Sequence, residues 1–154
     1  MLSIFATNII AGELLHLLMG LVMATVVFWR FKSWKLVVVV LLTTFLIDLD
    51  HFFECFLVHG LHPIKAISSF EGNCFREAGK LTIPFHSWEL IPFILFLGKK
   101  FRRWSLAVAL AAAMAGHFLV DQLTYTLSYG MPLWQYFLVY RAWYHFDFGK
   151  LCRG

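Results

Sequence analysis

Three carboxylates and an imidazole stand within seven positions of an otherwise apolar run: Asp48, Asp50, His51 and Glu54 in "TTFLIDLDHFFECF". Each ionised group is costly to strip of water. A divalent cation removes that cost, because it balances the carboxylates and takes neutral histidine as a nitrogen ligand. The cluster therefore points first to a metal site.

The same pairing recurs along the chain. Glu13 and His16 are three apart, as are His51 and Glu54, and His86 and Glu89; His117 and Asp121 are four apart. Side chains at these spacings share a helix face. Metal centres in helical bundles are assembled from such facing pairs on several helices. The residues these pairs and the D-x-D-H stretch bring forward are Glu13, His16, Asp48, Asp50, His51, Glu54, His86, Glu89, His117 and Asp121. Glu89 and Glu54 are the surplus carboxylates, available as a general base.

These residues need helices to hold them, and composition says in what medium. The 154-residue chain is 60% hydrophobic, 18% aromatic and 14% charged. Soluble domains carry about 25% charged residues, so the expectation is one all-α, membrane-embedded domain over 1–154. Four transmembrane segments are predicted, roughly 8–31, 34–58, 83–98 and 104–127, followed by a C-terminal interfacial segment with a possible fifth short helix. The first segment reads as a retained helix rather than a cleaved signal, since no basic residue precedes it. Helical rise puts the polar residues of all four segments roughly 3 to 15 Å from one end of the bundle. The small residues of "SLAVALAAAMAG" suit close packing in lipid, including packing in a homodimer.

Arg30, Lys32 and Lys35 crowd the first turn, and Lys99, Lys100, Arg102 and Arg103 the third. Basic turns stay cytoplasmic, so the polar layer and both termini face outward. The net charge of +4 fits an anionic lipid surface. No basic stripe with interleaved aromatics suggests nucleic acid. Cys55, Cys74 and Cys152 lack a zinc-type CxxC spacing; Cys55 and Cys74 flank one loop, where a disulfide and two free thiols both remain open.

The motifs "HLLMG", "LIDLDH", "FHSWE" and "GHFLVDQLT" followed by "YGMP" resemble the membrane-bound metal-dependent hydrolase family, inner-membrane proteins related to zinc-dependent phospholipase C-like proteins. The resemblance runs from about His16 to Pro132. It implies His16, Asp48, Asp50, His51, His86, His117 and Asp121 as metal ligands, with Ser87 and Thr124 as accompanying hydroxyls, and localisation in a bacterial or archaeal cytoplasmic membrane. The family's third motif carries an earlier histidine and an Arg-Gly that "KLTIPFHS" lacks; Glu89 is the candidate replacement.

The functional expectation is a hydrolase with one or two divalent ions, zinc first, acting on a lipid-linked phosphoester near the outer leaflet. A phospholipid and a polyprenyl phosphate both fit that depth, and Arg76 and Lys80 would receive the phosphate. The alternatives are a di-iron-type oxidoreductase, from the Glu13-x-x-His16 pair and its reversed counterparts, and a non-catalytic metal-binding or structural membrane subunit.

Overall fold

The computed structural model describes residues 9–51, 55–56, 60 and 79–151. Glu54, Cys74, Arg76 and Cys152 lie outside the described residues. Helices α1 (Ile9–Phe31), α2 (Trp34–Leu46), α3 (Leu90–Lys100) and α4 (Trp104–Tyr129) form the body, and α5 (Leu138–Trp143) and α6 (Phe148–Leu151) are short C-terminal turns. The described part is mainly helical, and its only β-type pairing is an isolated bridge between Lys80 and Asp147. The expected all-α class therefore holds.

The expected count of four spans does not. Among the described residues, two helices are long and apolar enough to cross a membrane, Gly12–Phe31 within α1 and Trp104–Leu127 within α4. Helix α2 has 13 residues and α3 has 11. At helical rise they reach about 20 and 17 Å, short of the roughly 30 Å of a hydrocarbon core. The causes are local. The α2 ladder ends in a turn at Ile47–Asp48, and helical backbone resumes only at Leu49. Residues predicted as the outer third of the next span, Ile83 to Glu89, are spent on turns before α3 begins.

Helix α4 is the central post, packed on α1, α2 and α3, while α1 and α2 pack on each other. Small residues permit this. Ala107, Ala109, Ala111 and Ala113 are buried along α4. At Gly98 of α3, an added Cβ would sit 2.1 Å from the Ala107 Cβ, so that crossing exists only because position 98 lacks a side chain. Gly130, at φ 65°, closes α4 in the left-handed conformation.

Polar side chains are buried beside the apolar core while large apolar ones face out. His86, His117, Asp50, Thr44, Gln135 and Arg141 are all at most 2% exposed, whereas Leu18, Val26 and Trp29 on α1 are 57–80% exposed. Large apolar side chains also face outward from α2, α3 and α4. A soluble surface does not distribute residues this way.

The C-terminal segment folds back as a cover over residues 79–89. Leu81 N–H donates to Phe146, Phe148 N–H to Gly79 and Trp88 N–H to Tyr136, all to main-chain oxygens at 2.8–3.0 Å. Leu81, Ile83, Tyr136 and Leu151 form a buried cluster between the two segments.

Candidate metal centre

The break in α2 builds one wall of the site. With regular helix ending at Leu46, the Thr44 carbonyl accepts a hydrogen bond from His117 Nδ1 at 3.0 Å. The following turn carries Asp48 and Asp50. The two aspartates then diverge. Asp50 accepts Phe85 N–H at 2.8 Å and stands 3.0 and 3.1 Å from His86 Nδ1 through its two oxygens. Asp48 points at the other ring nitrogens: its Oδ1 is 3.2 Å from both His86 Nε2 and His117 Nε2.

Helix α4 supplies the opposite wall. Asp121 Oδ2 lies 3.3 Å from His117 Nε2 and 3.5 Å from His86 Nε2. The two Nε2 atoms are 3.2 Å apart. Two nitrogens and two oxygens thus converge, each nitrogen lying 3.2–3.5 Å from the other and from both oxygens. A tetrahedral zinc site with metal–donor distances near 2.0–2.1 Å places its donors about 3.3 Å apart.

Tautomers sharpen the geometry. A carbonyl only accepts, so His117 Nδ1 carries a proton, and the ionised Asp50 draws one onto His86 Nδ1. Both Nε2 lone pairs then face two carboxylate oxygens. Protonating both rings would answer the carboxylates but set two N–H groups 3.2 Å apart. One cation satisfies all four atoms together. A metal-bound imidazole typically donates its other N–H to a carboxylate or carbonyl, and both histidines do so here.

His16 meets the cluster from α1. Its Nε2 is 2.9 Å from Asp121 Oδ1, and its ring stacks on His117 at a centroid distance of 4.1 Å. It therefore holds the far oxygen of Asp121 rather than facing the four-atom volume. Its Nδ1 is buried without a hydrogen-bond partner. His51 stands farther out, 3.8 Å from Asp48 Oδ1. Two neighbouring groups, His16 with His117 and Asp121, and Asp48 with His51 and His86, each bring ligand atoms within 4.8 Å. These buried His/Asp groups can hold a metal ion.

Six of the seven predicted ligands contribute an atom to one of these groups. Asp50 instead holds the His86 ring and loop. The predicted base Glu89 is not brought to the cluster. Its carboxylate accepts Leu138 N–H at 3.0 Å and Val139 N–H at 3.1 Å, which caps α5. Glu54 lies outside the described residues. Cys55 is buried and disulfide-bonded.

Two participants escaped the sequence reading. Arg141, fully buried, donates from Nη1 to the Ile83 carbonyl at 2.8 Å and from Nη2 to the His86 carbonyl at 2.9 Å, and also reaches Ser87 Oγ. Tyr136 stacks on Phe118 and lies near His86, with ring centroids 6.1 and 5.9 Å away. Burial, and then the neighbouring Asp121 charge, pushes its phenol well above the usual range, so it stays a neutral donor beside the centre. A small cavity between His51, Tyr136 and Gln135 leaves room for about one water.

No known protein family matches this chain, and neither a curated protein nor a solved structure shows detectable similarity to it; the geometry of the site has to carry the functional reading.

Proposed function

We propose that the chain is a membrane-embedded, metal-dependent hydrolase that binds zinc and acts on a lipid-linked phosphoester near the outer leaflet, as its resemblance to the membrane-bound metal-dependent hydrolases implies. The observation that carries this reading is the convergence of His86 Nε2, His117 Nε2, Asp48 Oδ1 and Asp121 Oδ2, with each nitrogen 3.2–3.5 Å from the other nitrogen and from both oxygens. His86, His117, Asp48 and Asp121 would hold the ion, which, with a coordination position left to water, would supply a Lewis acid that lowers that water's pKa. The chain's own residues do the rest. Asp50 and the Thr44 carbonyl aim the two imidazoles, His16 holds Asp121, and the covering segment with Tyr136 keeps bulk water off. Support for a lipid substrate comes from the apolar exterior and from the two helices long enough to span.

A non-catalytic metal-binding role is the second reading, favoured by burial. His86 and His117 are at most 1% exposed, so a substrate reaches them only if the cover moves.

Elemental analysis of the detergent-purified protein tests the site, with an Asp48→Ala/His117→Ala variant beside it. One or two equivalents of zinc per chain, lost in the variant, are expected. The hydrolase reading then requires turnover of a phospholipid or polyprenyl phosphate. Metal without turnover leaves the non-catalytic role, and absence of metal from a parent chain refolded with zinc rejects both.

A further inference from the structure

Arg141 is the largest fully buried side chain among the described residues. Burying a guanidinium is costly unless its donors are used. Three of its contacts go to one short loop: the carbonyls of Ile83 and His86 and the hydroxyl of Ser87. On the other side of the same loop, Asp50 takes Phe85 N–H and the His86 ring. A cation thus grips the loop's acceptors while an anion grips its donors. Between them stands His86, whose Nε2 belongs to the four-atom cluster.

Attaching the C-terminal cover does not need this arginine. The cover is already bonded to residues 79–89 by three main-chain hydrogen bonds and by the Glu89 cap on α5, besides the apolar cluster around Ile83 and Tyr136. Arg141 adds direct hydrogen bonds to the carbonyl of His86, to the Ile83 carbonyl before it and to the Ser87 hydroxyl after it. We propose that Arg141 is a positioning residue of the metal centre, fixing the backbone of His86 so that Nε2 meets Asp48 and His117 at ligand distance. The inference rests on the metal-site reading above and extends it to a residue some 55 positions along the chain.

The test is cobalt(II) titration of the full chain in detergent, read by visible absorption, for the parent, Arg141→Lys, Arg141→Gln and Ser87→Ala. Melting temperature is followed in parallel. Lysine keeps the charge but cannot fork to two carbonyls, so it should not rescue. Both Arg141 variants are expected to bind cobalt about 10- to 100-fold more weakly with shifted ligand-field bands, and Ser87→Ala to shift the bands in the same direction by less. Asp147→Ala, which removes a bond to Lys150 N–H in the cover, should lower the melting temperature and leave the spectrum unchanged. Parental affinity and spectrum in Arg141→Lys and in Ser87→Ala would overturn the proposal even if Arg141→Gln failed to fold. A parent that takes up no cobalt overturns the site itself, and a binding parent with indifferent variants overturns only the role of Arg141.

Discussion

Asp48 and Asp50 are two positions apart and have different partners. Asp48 Oδ1 faces two Nε2 atoms, while both Asp50 oxygens face His86 Nδ1 and one also takes the Phe85 amide. Substitution by asparagine should separate them. Asp48→Asn replaces an anionic donor at the centre and is expected to lose most of the bound metal. Asp50→Asn keeps every ligand atom but weakens the grip on the His86 ring. It should retain stoichiometry with affinity about 10- to 100-fold lower, measured by competition with a chromophoric chelator. Equal losses in the two variants would make Asp50 a direct ligand. Spacing alone did not distinguish the two. The D-x-D-H stretch announces a cluster, but which carboxylate touches metal depends on a backbone turn at Ile47–Asp48 that hydropathy does not register. The His117/Asp121 pair was legible because residues four apart on a regular helix share a face, and α4 is regular there. Arg141 was not legible. A cationic residue among Tyr and Trp reads as an interfacial anchor, and no local pattern says that the segment folds back onto residues 83–87.

At the scale of elements, the fold depends on where helices stop and how closely they approach. Composition identified four apolar segments but overstated the second and third. The backbone turns at Ile47–Asp48 and over Pro84–Glu89, and these breaks deliver Asp48 and His86. The site thus combines residues from broken segments with His16, His117 and Asp121 from the long helices α1 and α4. The approach of α3 to α4 is set by Gly98 against Ala107, where an added methyl would meet a Cβ at 2.1 Å. Gly98→Ala is expected to destabilise the chain by about 1–3 kcal/mol through overpacking, despite alanine's better helix propensity. Combining it with Ala107→Gly moves the methyl to the facing helix and should recover most of the loss. Thermal unfolding in detergent would check this. A single variant as stable as the parent would show that the two helices part readily.

Over the whole molecule, two gradients coincide. The turns at Lys32–Ser33 and Phe101–Arg103 carry the basic residues and join α1 to α2 and α3 to α4, so both lie at one end. Counted from those turns, His16, Asp48 and His117 each sit roughly 20 Å along their helices, which puts the cluster toward the opposite end. Cys55, in the stretch following Asp50, is disulfide-bonded, and disulfides persist in oxidising compartments. Basic turns favour the cytoplasm. In the proposed membrane reading, both chemistries favour one orientation: basic turns inside, metal centre toward the oxidising face. A cysteine at Ser33 should react with a membrane-impermeant maleimide only after the cells are opened, and one at the exposed Leu133 should react in intact cells. The reverse pattern would place the centre on the cytoplasmic side, where the Cys55 bond would be reduced and an outer-leaflet substrate would be out of reach.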